Sequence, residues 1–168
     1  MREIKTKTPS ESIIATWWPP GHFTTSMAKR RVIFDGGTIN VPQGYWLANF
    51  FLSQDETEAL GILRMLHNSG NQAAEYLETL GFPVSLSVTI LKTILPLNRQ
   101  QAYQKLKTII PDDIKINHLL SLTHKKPPAS YCLVYNEFVE RNIQLSFLGN
   151  WNFKAIETIN KDPQEFKK

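Results

Sequence analysis

The feature that most constrains the fold is a series of short helical segments in the middle of the chain. Ser53 and Asp55 are helix-capping residues, and apolar residues at helical spacing follow them. The same pattern recurs along the chain and predicts four helices with short connections, over residues 55–68, 71–80, 85–95 and 98–110. Glycine or proline closes each segment, at Gly70, Gly81, Pro96 and Pro111.

Stretches with β-type patterns flank these helices. Residues 30–41 place β-rich runs on either side of Gly36 and Gly37, which predicts a hairpin with a tight turn. Residues 130–148 predict a second hairpin, because apolar and polar residues alternate near its end. The alternating apolar residues are Ile143, Leu145 and Phe147. A short helix near 151–160 follows, and the order hairpin, helices, hairpin is typical of an α+β fold.

The length and composition fit one globular domain, residues 1–168, with mobile ends near 1–10 and 161–168. The chain has 168 residues, of which 42% are hydrophobic. Cys132 is the only cysteine, which excludes an internal disulfide and a thiolate zinc site, and its apolar surroundings predict a buried, inert thiol. The sequence has neither the apolar run of a signal peptide nor that of a membrane span, so we expect a cytoplasmic protein without a membrane partner.

Positive charge is concentrated in one window, residues 91–126. It holds seven basic and two acidic residues, a net charge of 7 − 2 = +5, whereas the whole chain carries +4. A local basic patch of this kind favours an anionic partner such as nucleic acid.

The helices predicted at 85–95 and 98–110 have the proportions of a helix-turn-helix. The second separates an apolar face from a face rich in glutamine and lysine, which can bond adenine edges and phosphates. The candidate nucleic-acid-binding residues are Arg99, Gln100, Gln101, Gln104, Lys105, Lys107, Lys125 and Lys126. The alternative is an ordinary amphipathic helix with a solvated polar face.

Aromatic residues define a second candidate site. Eight of the eighteen lie in the stretch 17–51, and Trp17 and Trp18 precede two prolines that favour extended or turn backbone. Trp17, Trp18 and Phe23 could bind a protein partner as exposed anchors. Alternatively, the tryptophans fill the core.

Recognisable catalytic patterns are missing from the sequence. The four histidines are scattered, and there is no phosphate-binding loop, nucleophile elbow or dinucleotide fingerprint. We therefore expect a binding protein without catalytic residues, metal or cofactor. Nucleic-acid binding or regulation through residues 85–110 is the leading hypothesis, and a protein-interaction subunit or adaptor using Trp17 and Trp18 is the alternative. An active site would have to be assembled from distant residues.

Overall fold

The computed structural model describes residues 1–35 and 41–161 and is rich in helix. The α-helices of this part are α1 (Arg2–Lys7), α2 (Trp18–Phe23), α3 (Val41–Leu52), α4 (Glu56–Ser69), α5 (Gln72–Thr79), α6 (Val84–Ile94), α7 (Arg99–Lys107), α8 (Asp113–Thr123), α9 (Asn142–Gly149) and α10 (Phe153–Lys161). The strands are β1 (Ile13–Ala15), β2 (Arg31–Val32) and β3 (Ser130–Cys132). A π-helical turn, Thr24–Ala28, follows α2, and a 3-10 helix, Asn136–Arg141, precedes α9.

The four central helices predicted from the sequence are confirmed as α4 to α7. The Asp55 carboxylate accepts hydrogen bonds from the amides of Thr57 and Glu58 at the start of α4. Asn98 and Gln101 form the reciprocal capping box that begins α7. The predicted C-terminal helix is confirmed as α10.

The expected hairpins are wrong, although an α+β class is correct at a coarse level. β1 lies between β2 and β3, and it pairs with both in parallel. Among the described residues of the first predicted hairpin, Arg31 and Val32 are the ones that form a strand. The proposed turn at Gly36–Gly37 lies outside the described residues. The sheet is therefore assembled by distant parts of the chain rather than by neighbouring strands.

Tertiary packing makes a helix where the second hairpin was expected. α9 packs along α3, and its Leu145 and Gly149 are buried at i, i+4 spacing. A Cβ added to Gly149 would lie 3.5 Å from the Cβ of Ala48, so the two helices approach closely. The alternation of residues 143–147 is compatible with this helix because Ile143 and Phe147 also lie four residues apart.

The Trp-Pro-Pro segment is also helical, in contrast to its expected extended or turn conformation. Trp17 keeps extended backbone, with φ −70° and ψ 159°, and α2 begins at Trp18. Pro19 and Pro20 occupy the first turn of α2, where the backbone amides have no intrahelical acceptor. Proline therefore costs no helical hydrogen bond at these positions. The apolar run 45–52 lies in α3.

The core lies among the central helices. It includes the fully buried side chains of Trp46, Ile62, Leu91 and Leu119, from α3, α4, α6 and α8. Gly61 of α4 lies against the carbonyl group of Leu95, and a Cβ at this position would overlap it. Glycine is thus required for the close approach of α4 to the end of α6. The single domain and the mobile ends stay predictions, and residues 162–168 lie outside the described part of the chain.

Candidate functional site

One apolar depression on the surface, here called the Trp groove, lies between α2 and α9. It has a volume of about 460 Å³ and an almost wholly apolar lining. The residues that line it are Trp17, Trp18, Phe34, Val41, Ile143, Gln144, Phe147 and Leu148. Ile143 and Phe147 form an exposed rim, since 84% and 66% of their surfaces are accessible. An open groove with these walls suits an apolar or partly apolar ligand.

The two tryptophans have different environments: Trp17 is part of the core, whereas partner binding by Trp18 stays a prediction. Trp17 is buried, with its ring 5.5 Å from that of Phe34, whereas Trp18 is 44% exposed. Gly21 of α2 lies against the backbone of Phe34, and a Cβ at this position would be 2.6 Å from the Phe34 carbonyl oxygen. Phe23 is exposed but does not line the Trp groove.

The Trp17 side chain carries a hydrogen-bond donor without a partner among the described residues. Its Nε1 atom is buried. A buried donor without an acceptor is costly, by about 1–3 kcal/mol.

Arg30 fixes the backbone that surrounds α2. Its guanidinium is buried and donates five hydrogen bonds of 2.7–3.2 Å. The acceptors are the carbonyl oxygens of Lys5, Thr8, Ala28 and Lys29 and the hydroxyl of Thr8. These bonds tie the end of α1 to the residues after the π-helical turn, so the segment carrying the tryptophans is held from both sides.

A second, more polar depression, the Lys92 cleft, lies between α6 and the α9–α10 junction. Its volume is about 400 Å³. The lining residues are Tyr45, Ser85, Val88, Thr89, Lys92, Gly149, Asn150, Trp151, Asn152, Phe153 and Lys154. The Lys92 ammonium donates to Asn49 Oδ1 at 2.8 Å and lies 5.5 Å from the centre of the Tyr45 ring. In the sequence, Lys92 belongs to the basic window 91–126, and the helical face that it shares with Ser85 and Thr89 was not predicted as a site.

The predicted nucleic-acid-binding residues are only partly brought together. Gln100, Gln101, Gln104 and Lys105 line a shallow groove on α7, but Gln101 is engaged in the capping box. The other predicted residues lie outside this groove. Arg99 donates a hydrogen bond to Asn117, and Lys107 forms an ion pair with Asp113. Lys125 and Lys126 lie in the segment between α8 and β3.

The pair formed by Lys107 and Asp113 also involves Tyr103, whose hydroxyl donates to the same carboxylate at 2.8 Å. The hydrogen bond from Lys107 holds the pKa of Asp113 below its usual range. The Lys107 charge is therefore already compensated within the chain, which disfavours its predicted role as a phosphate contact.

Titratable side chains do not gather into a catalytic or metal centre in the part of the chain that the structure describes. No group of three or more His, Cys, Asp or Glu side chains there could hold a metal ion. His67 is buried and has no hydrogen-bond partner among the described residues, and burial lowers its pKa to about 4. Cys132 is exposed on β3, so the expectation of a buried thiol is wrong. Among residues 1–35 and 41–161, no helix is long and apolar enough to cross a membrane.

Comparison with known proteins relates this chain to glycotransferases. No protein-family model matches it, and no solved structure does so significantly. A dolichyl-phosphooligosaccharide-protein glycotransferase of Methanocaldococcus jannaschii is 38% identical in an alignment of 168 positions, which covers 96% of this chain and 18% of that protein. The protein of the same name from Methanococcus voltae is 34% identical in an alignment of 169 positions, which again covers 96% of this chain and 18% of that protein. The chain thus spans less than a fifth of the length of these relatives.

These similarities overturn the functional expectation from sequence. Both relatives carry the name of an enzyme of glycosylation, and the match extends over nearly the whole chain. The expectations of a nucleic-acid-binding regulator, of a DNA-binding helix-turn-helix and of a non-enzymatic protein are therefore wrong. A basic window and a glutamine-rich helix face are general features of surfaces, and no short catalytic motif marks the chain, so this relationship could not be predicted from the residues alone.

Proposed function

We propose that this chain is a module of a glycotransferase that transfers an oligosaccharide from a dolichyl phosphate carrier to protein. The observation that supports this proposal is the 38% identity to the Methanocaldococcus jannaschii enzyme across 96% of the chain. Because the alignment extends over nearly the whole chain, the similarity supports a shared module rather than a shared short motif.

Within this module, the Trp groove is the proposed contact for the acceptor polypeptide. Its apolar walls suit the apolar side chains of a bound peptide. Trp18, which lines the groove, supplies an exposed aromatic surface. The relatives' name specifies protein as the acceptor of the glycan, which is consistent with this assignment.

The rigidity of the groove supports a binding role. Arg30 holds the backbone around α2, and Gly21 allows α2 to lie against Phe34. The segment that carries Trp17 and Trp18 is already ordered. Little conformational entropy would therefore be lost there on binding.

The test is a transfer assay with the natural protein that carries these 168 residues, a dolichyl-phosphate-linked oligosaccharide and an acceptor polypeptide. Trp18→Ala should lower transfer about tenfold or more without lowering the melting temperature, because it removes an exposed aromatic anchor.

Phe23→Ala is the matched control, because Phe23 is an exposed aromatic residue outside the Trp groove. It should leave transfer unchanged. Absence of transfer in the unsubstituted protein, or equal losses in the Trp18 and Phe23 variants, would refute the proposal. Binding of a protein partner through Phe23 stays a prediction, as does the cytoplasmic location.

A further inference from the structure

Lys92 is a cation without a carboxylate partner in the described part of the chain. The ion pairs found in that part are Lys7–Glu3 and Lys107–Asp113. No acidic residue lines the Lys92 cleft, and the Lys92 side chain is half-buried. A partly desolvated ammonium without a counter-charge attracts an anion more strongly than a fully exposed one does.

The ammonium is held in position by a network that begins on α3. Asn49 Nδ2 donates to the carbonyl oxygens of Tyr45 and Gly149, at 2.9 and 3.1 Å. Its Oδ1 must therefore face Lys92, which donates to it at 2.8 Å. Because an ammonium has three donors, two remain for a ligand. The position of the charge is thus set before any ligand binds.

The nearest carboxylate on the adjoining helix has a different partner. Glu157 of α10 accepts hydrogen bonds from the amide and hydroxyl of Ser85, at 2.8 and 2.7 Å. These bonds lower the pKa of the Glu157 carboxyl. Ser85 and Lys92 are seven residues apart on α6, or about 10 Å along its axis. Glu157 is therefore bonded to Ser85 and leaves the Lys92 charge uncompensated.

The opposite wall supplies groups that suit a sugar. Trp151 is half-buried and offers an aromatic surface, and Asn150 and Asn152 carry amides next to it. Asn150 Nδ2 donates to Ser146, and Asn152 Oδ1 accepts from the Ala155 amide. The Asn150 oxygen and the Asn152 nitrogen thus keep hydrogen-bonding capacity for hydroxyl groups. A few oriented polar groups beside an aromatic surface are typical of a specific small-ligand pocket.

We propose that the Lys92 cleft binds a glycosyl phosphate, with the phosphate on the Lys92 ammonium and the sugar against Trp151. The choice of phosphate as the anion rests on the proposed function, because the relatives' name specifies a phosphooligosaccharide. A lysine ammonium binds phosphate as a point charge, and the volume of about 400 Å³ lies within the range of small-ligand pockets.

The test is an NMR titration of the full 168-residue chain with N-acetylglucosamine 1-phosphate. N-acetylglucosamine and inorganic phosphate serve as probes of the two halves of the ligand. The indole N–H resonance of Trp151, assigned by its loss in Trp151→Phe, should shift with the sugar phosphate. Lys92→Met should weaken binding about ten- to a hundredfold, because it removes a charged hydrogen-bond donor but keeps an apolar stem.

Two further variants separate charge from folding. Lys92→Arg retains the positive charge and should restore at least part of the affinity. Lys115→Met removes an exposed lysine of α8 that lies outside the cleft, and it should bind as the unsubstituted chain does. Melting temperatures of all variants show whether each one is folded.

Three results would overturn the proposal. They are an absence of saturation up to about 10 mM ligand, equal affinities of the Lys92→Met and Lys115→Met variants, and binding of inorganic phosphate as tight as that of the sugar phosphate. This binding test is separate from the transfer assay. Failure of transfer with normal binding would refute the proposed function but not the site, and normal transfer without binding would refute the site alone.

Discussion

Burial of His67 makes the stability of this protein dependent on pH. The ring is 5% exposed, neither nitrogen has a partner among the described residues, and burial lowers its pKa from 6.5 to about 4, with a smaller effect from Arg31. Between pH 6.5 and 4 the unfolded chain binds a proton at this residue and the folded chain does not. The free energy of unfolding therefore falls as the pH falls, by about 1.4 kcal/mol per pH unit and about 3 kcal/mol in total.

The measurement is urea-induced unfolding at pH 7.5 and pH 5 for the unsubstituted chain and for His67→Leu. The variant should lose about 2 kcal/mol less between these two values, because leucine has no proton to bind. His124 retains its own contribution in both proteins, since burial lowers its pKa to about 4 as well.

The control is His22→Leu, which replaces an exposed ring and should keep the pH dependence of the unsubstituted chain. At pH 7.5, His67→Leu should be close to neutral or stabilising, because it removes two buried polar atoms without partners. If His67→Leu and the unsubstituted chain lose the same free energy on acidification, the ring is solvated or bonded in the folded state and the reasoning fails.

Two further predictions concern packing around the core and the Trp groove. Gly61→Ala should lower the free energy of unfolding by about 1–3 kcal/mol, because the added methyl group would overlap the carbonyl of Leu95. This overlap outweighs the higher helix propensity of alanine. A melting temperature at or above that of the unsubstituted chain would contradict this contact. Arg30→Met should cost about 2–4 kcal/mol in urea unfolding, because the carbonyl groups that it bonds lose their donor. Arg2→Met, at an exposed position of α1, should cost little, and equal losses in the two variants would show that the Arg30 bonds contribute nothing.

The candidate sites were predicted from the sequence only in part. Trp17 and Trp18 stood out because large aromatic residues beside prolines are conspicuous in any sequence. The division of roles between them was not predictable, because it depends on Phe34 and α9, which lie elsewhere in the chain. The Lys92 cleft was missed for the same reason, since Asn49 and Trp151 are 43 and 59 positions from Lys92 (92 − 49 and 151 − 92).

The sequence by itself determined the central helices, because their signals are local. Asp55, Asn98 and Gln101 bond to amides within three residues, so the starts of α4 and α7 need no information from distant parts of the chain. Tertiary structure decided the conformation of residues 130–149 and the pairing of β1. Both depend on contacts between segments far apart in the chain, where burial against α3 favours a helix and β3 reaches β1 only in the folded protein.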